Sequence, residues 1–267
     1  MRSVFEIIAE SFKKWYKNLV IVLPFVFSAI ATFLGLLILL TFFTSIFLAL
    51  FNVDLSFLQI AQFSTGTTAD PQVINQLLSI VSPFTIIYIL VALAVSVFLL
   101  FLIKAYFLSG AIGMSSKILR NKKISLKDMN YYGKNFFTRY FLIKLIIFGA
   151  ILLWLVIFSL PAIVSGKTAL IFIPILSLIP LAFLYLLSIL SEYYLILNNT
   201  TALGAIRQSI STAKRNYLAI LGLYLIYFLA YILTSFIPLV NPLIVALIVE
   251  PTITIAFVLF SLDRYKR

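Results

Sequence analysis

Cysteine and histidine are both missing from the 267 residues of this chain. Those absences remove disulfides, thiol nucleophiles, imidazole bases and imidazole-ligated metals together. Charge is scarce too: 10% of residues are Asp, Glu, Lys or Arg, against about 25% in an ordinary soluble domain. With 63% hydrophobic residues, too few polar side chains remain to cover a water-facing surface, and a soluble globular fold is excluded. The charge that is present leans positive, with 20 basic residues to 8 acidic and a net +12. That balance would suit a nucleic-acid partner only if the basic residues formed a stripe on a water-facing domain. Their placement along the chain is different, so no nucleic acid is expected.

What the sequence does have is long apolar runs. A membrane helix needs about 20 apolar residues to cross a hydrocarbon core of roughly 30 Å, and the chain supplies six such runs, at about 19–50, 83–103, 141–160, 169–190, 217–240 and 243–262. The first is longer than one crossing requires, so its helix must tilt, project beyond the bilayer or begin in the interface. Pro174 and Pro180 fall in the fourth as kinks that a membrane helix packed among neighbours can accommodate. Asn241-Pro242 reads as a tight turn joining the last two spans. The fold class is therefore all-α, a single polytopic membrane domain over 1–267.

Every Lys and Arg except Lys167 falls on the side of the N-terminus, while the external 52–82 link carries Asp54 and Asp70 and no basic residue. The positive-inside rule then makes both termini cytoplasmic in a multi-pass cell-membrane protein. Glu6 and Glu10 interrupt the opening stretch, and the apolar run after Lys17 exceeds a signal-peptide core, so this stretch is expected to stay as an anchor. Residues 1–18 form an amphipathic segment in which Phe5, Ile8, Phe12, Trp15 and Leu19 share one helical face, a helix lying in the interface plane. The basic cytoplasmic segments 104–140 and 199–216 repeat the design. In the second of these, Leu203, Ile206, Ile210 and Tyr217 face one way, and Asn199 or Thr200 is available as a cap. Ser125 with Asp128 fits a helix start. Laid side by side, the segments read as three two-span units, and Ser11–Asn18 and Ser209–Asn216 share a seven-residue separation before the apolar run resumes. Parallel repeats would produce this pattern, and so would the positive-inside rule acting alone on any chain with an even number of spans.

Glu250, next to Pro251 inside the sixth span, stands out among the acids. An ionisable group at that depth costs about 2.5–3.5 kcal/mol and should face the bundle interior or a wet cavity. It is either a functional acid or a structural one, hydrogen-bonded to hydroxyls or to the carbonyl that Pro251 leaves without an amide partner. Glu192, beside Tyr193 and Tyr194, reads as an ion partner within an interfacial tyrosine belt. The Asp70-Pro71 pair starts a short external helix after the 64–68 loop, and Asp128 and Asp263 read as solvated ion partners. No paired intramembrane carboxylates, serine–base pair, clustered metal ligands or phosphate loop can be found. Ser109-Gly110 with Gly113 reads as a site of close helix packing.

The stretch Ala202-Leu203-Gly204-Ala205-Ile206-Arg207-Gln208-Ser209, running to Asn216, resembles the helix before the fifth span in the membrane domain family linked to glycerophosphoryl diester phosphodiesterases and in related six-span families of unknown function. Pro251 followed by Phe257, Phe260 and Leu262-Asp263-Arg264-Tyr265 is similar to the ending of those proteins, with Leu before Asp and Tyr in place of the usual apolar residue after Arg. The resemblance implies a fold and no activity. Some of those relatives carry a separate catalytic domain, for which the residues outside the spans leave no room.

Two functions follow as expectations. The first is a non-enzymatic membrane protein that organises lipids or partner proteins at the cytoplasmic face. There Lys13, Lys14, Lys17, Arg120, Lys122, Lys123, Arg207, Lys214 and Arg215 would meet anionic headgroups or a membrane-protein partner. The alternative is a small-solute or ion transporter or channel with Glu250 in its route. An enzyme ranks third, and no cofactor or metal is expected.

Overall fold

The computed structural model describes residues 2–51, 83–165, 180–237 and 240–265. The elements are α1 (Val4–Lys17), a 3₁₀ turn (Leu19–Val22), α2 (Leu23–Phe51), α3 (Pro83–Leu119), α4 (Leu126–Ser165), α5 (Ser191–Asn198), α6 (Ala202–Ser235), α7 (Asn241–Ile244), a π turn (Val245–Val249) and α8 (Glu250–Tyr265). No strand occurs among the described residues. Six stretches are long and apolar enough to cross a membrane: Leu19–Phe47, Phe84–Leu119, Leu126–Ile157, Pro180–Asn198, Ala202–Ser235 and Asn241–Arg264. The all-helical, six-span architecture expected from the sequence is therefore present. The external link 52–82 with Asp54 and Asp70, the start of the fourth span with Pro174, and Lys167, Lys266 and Arg267 lie outside the described residues.

Local chemistry explains the element ends. Ser3 opens α1 with a reciprocal cap: its hydroxyl accepts the Glu6 amide at 3.2 Å and its own amide donates to the Glu6 carboxylate at 2.7 Å, satisfying two donors a helix start otherwise leaves free. Asn18 breaks the first apolar run from α1, with φ −139° and ψ 59°, and its side-chain amide donates to the Lys14 carbonyl at 2.9 Å. Ser125 and Asp128 start α4 as the sequence suggests, the Asp128 carboxylate accepting the Ser125 amide at 2.9 Å.

Three local expectations need correction. The N-cap of α6 is Thr201, which accepts the Gly204 amide at 3.2 Å, whereas Asn199 adopts the left-handed conformation that closes α5. Asn tolerates that conformation better than Thr, so the two residues divide the stop and the start. Asn241-Pro242 is no turn either: it forms the first turn of α7, where proline has no helical amide to lose. Helix α4 also continues past Pro161 to Ser165.

The described residues fall into two compact units, residues 30–103 and residues 1–29 with 104–267. In the smaller, α2 and α3 pack through Gly35, whose Cα has Ile103 and Leu100 against it, and through Tyr88, whose hydroxyl donates to the Phe43 carbonyl at 2.6 Å. Their remaining large apolar side chains, such as Phe33, Ile38 and Leu93, are exposed, as lipid-facing residues must be. In the larger unit α8 is the most enclosed element, with every residue from Ile253 to Ser261 buried. Helix α1 lies along it in antiparallel sense. Arg2 pairs with Asp263 at 3.3 Å at one end, and the Trp15 indole donates to the Leu247 carbonyl at 2.9 Å at the other.

This docking changes the amphipathic reading of segments 1–18 and 199–216. Ile7 and Ser11 form the buried face of α1, while Phe5, Phe12 and Tyr16 remain exposed. In α6 the buried face is Ala202, Ala205, Ser209 and Ala213, and Leu203 is exposed. Small residues let helix backbones approach closely, and that gain decides which face turns inward. The same rule holds at the α3–α4 contact expected around Gly110 and Gly113. A Cβ on Gly110 would lie 2.9 Å from the Met129 carbonyl oxygen, and one on Gly113 would overlap the Tyr132 ring.

Candidate functional site

Inside the larger unit the helices line a partly open cavity of about 160 Å³. Each wall is a short helical repeat. Glu250, Ile253, Thr254 and Phe257 project from one face of α8; Tyr140 and Lys144 from α4; Tyr224 and Tyr227 from α6; Leu108 and Ile112 from α3. The Pro180–Asn198 stretch adds Tyr185, Ile189, Glu192 and Tyr193, and Phe25 of α2 completes the lining. Spacings of three, four and seven put side chains on one helical face, so five helical segments each present one face to the same space, aliphatic from α3 and bearing polar or aromatic groups from the other four.

One carboxylate of the cavity is internally paired. The Glu192 carboxylate accepts from the Tyr140 hydroxyl and from the Lys144 ammonium, one partner on each oxygen. The Lys144 ammonium also stands 5.6 Å from the centre of the Tyr140 ring, a cation–π distance. Glu192 is thus an ion partner, as the sequence suggests. It sits inside the bundle, however, and Tyr193 and Tyr194 are buried, not an interfacial belt. Buried tyrosines need a partner for the hydroxyl, and Tyr194 meets Thr212 at 3.0 Å.

Glu250 is the second carboxylate of the lining. It is half-buried and forms no ion pair or hydrogen bond among the described residues. Three tyrosines of the lining form a linked set: Tyr185 and Tyr224 meet edge to face at 5.9 Å, and Tyr224 and Tyr227 lie 6.3 Å apart. The carbonyl orphaned by Pro251 does not bond Glu250, as the structural reading of the sequence had it. Proline at 251 removes the amide that would reach Leu247, and the Trp15 indole takes that carbonyl instead. The acid is left facing the cavity.

The surface candidates form other groups. Lys13, Lys14 and Lys17 line a shallow recess with Ala9 and Glu10. Lys14 donates to Asn121 at 2.8 Å, which brings this group beside the exposed Arg120, Lys122 and Lys123 of the α3–α4 turn. Arg207, Lys214 and Arg215 are exposed on the first half of α6. No cluster of three or more potential metal ligands occurs among the described residues.

Sequence reasoning found Glu250 and missed its setting. The one signal along the chain was Lys144, a basic residue inside an apolar span whose ammonium must find a partner.

Fold and cavity together define a multi-pass helical membrane protein with a tyrosine-lined cavity between its helices. Comparison with protein-family models, with curated proteins and with solved structures gave no match.

Proposed function

We propose that this protein is a small-solute or ion transporter whose binding cavity contains Glu250. The carrying observation is that an acid with no hydrogen-bond or ion-pair partner among the described residues lines a partly open cavity among the spans, together with tyrosines and the Glu192–Lys144 pair. Ionisable groups in spans are costly and mark solute and ion routes. The cavity is smaller than the roughly 300–1,000 Å³ of pockets for drug-sized ligands, so the solute is small. The concentration of Lys and Arg on one side favours a cell-membrane protein with both termini in the cytoplasm. The likeness of residues 202–216 and 251–265 to the phosphodiesterase-linked membrane domain adds kinship of fold to this reading and no activity.

The test is electrical recording on proteoliposomes carrying the purified chain, with a panel of inorganic cations, small amines and amino acids. At least one solute should give a current that Glu250→Gln reduces tenfold or more. Silence across the panel would sink the transport reading.

A second reading, an organiser of lipids or membrane-protein partners at the cytoplasmic face, rests on a separate observation. The exposed Phe5, Phe12 and Tyr16 of α1 adjoin Lys13 and Lys17, the pairing of apolar and basic residues that favours anionic headgroups. Mass spectrometry of co-purified lipid should show anionic species lost when Lys13, Lys14 and Lys17 are neutralised. Unchanged lipid would remove this reading.

A further inference from the structure

The cavity already contains an alkylammonium of its own. Lys144 places that group against a carboxylate, Glu192, and over a tyrosine ring, Tyr140. The same lining holds a second carboxylate, Glu250, with the tyrosines Tyr224 and Tyr227, whose rings lie 6.3 Å apart, and no second lysine. The geometry points to a primary alkylammonium ligand, with Glu250 accepting its N–H bonds and the Tyr224–Tyr227 pair packing on its short carbon chain and charge.

Charge supports this class. Glu192 is paired with Lys144, and the lining holds no second cation for Glu250, so a monocation would pair with the Glu250 carboxylate whereas an anion would meet no free cation there. Aromatic faces favour organic cations, whose weaker hydration makes them easier to desolvate than Na⁺ or K⁺. A cavity of about 160 Å³ exceeds the space of one water and suits a cation of a few heavy atoms. Two sources carry this chemistry, a free small amine and an ethanolamine lipid headgroup. The inference deepens the transport reading and rests on the same cavity, but binding is measured without flux, so the two can fail separately.

The experiment is titration of the full chain in nanodiscs with ethylammonium chloride, followed by tyrosine fluorescence, against potassium chloride at matched ionic strength. In discs free of phosphatidylethanolamine, ethylammonium should saturate and potassium should not. If discs containing phosphatidylethanolamine raise the apparent Kd for ethylammonium severalfold, the headgroup occupies the same site. If they leave it unchanged, the free amine is the ligand. Glu250→Gln should weaken ethylammonium at least tenfold. Should that variant fail to fold, the ring carries the test: Tyr227→Leu should weaken binding three- to tenfold, and Tyr227→Phe should stay within twofold of the parent. Equal responses to ethylammonium and potassium, no saturation, or equal Kd values for Tyr227→Leu and Tyr227→Phe would overturn the assignment.

Discussion

The two carboxylates of the cavity have the same chemistry and opposite circumstances. Glu192 has each oxygen engaged, by Tyr140 and by Lys144. Glu250 has neither engaged by any described side chain. A charge taken from water costs several kcal/mol unless its partner and hydrogen bonds offset the loss. Glu192 therefore belongs to the architecture, holding α4 against the Pro180–Asn198 stretch, whereas Glu250 keeps its binding capacity for something that enters.

The strongest break of this comparison is Glu192→Leu. It leaves Lys144 unpaired inside the bundle and should cost about 3 kcal/mol, the low end of the usual range for a broken buried pair, because the Lys144 side chain keeps 29% exposure. Thermal unfolding of purified protein should register the loss, and adding Lys144→Met should restore most of it; equal losses in the single and double variants would mean the pair is not coupled. Next comes Tyr140→Phe, which removes one donor to an ionised acceptor and should cost about 1.5–2 kcal/mol. Trp15→Phe takes the indole from the Leu247 carbonyl at the π turn just before Glu250 and should cost about 1 kcal/mol, read in the same unfolding series. Smallest in stability is Glu250→Gln, expected between no change and a gain of about 1 kcal/mol, since it removes a charge that no described group pairs. If Glu250→Gln proved as costly as Glu192→Leu, the distinction between an architectural and a ligand-facing acid would fall.

A second pair of positions bears on the repeated layout. Asn18 and Asn216 both leave helical geometry where an amphipathic segment meets a span, with φ −139° and −130°. Both donate a side-chain amide to the carbonyl four residues back, Lys14 at 2.9 Å and Thr212 at 3.1 Å. Ser11 and Ser209, seven residues earlier, are both fully buried. The spacing visible in the sequence thus marks a shared local device. Helix α4, by contrast, runs from Leu126 to Ser165 as one element, so the likeness joins the first and third units and does not extend to the second.

Some of the site was legible in advance. Glu250 stood out because a carboxylate in an apolar run is expensive, and the pairing of Glu192 with a cation was expected too, though in an interfacial tyrosine belt and not inside the bundle. Tyr185, Tyr224 and Tyr227 gave no comparable warning. A tyrosine suits a membrane interface, a helix contact or a cavity wall equally well, and nothing in its neighbours along the chain separates these settings.

The sequence by itself determined the all-helical class and the number of spans, because backbone groups in lipid must bond within their own helix and apolar length is counted directly along the chain. It did not determine which face of each helix turns inward. Lipid and protein interior are both apolar, so hydropathy does not distinguish them, and the choice falls to shape and polar satisfaction. That is why Ala205 and Ser209 are buried while Leu203 and Phe5 are exposed. It is also why only the packed helices could bring Glu250, Glu192, Lys144 and the tyrosines of separate spans around one cavity.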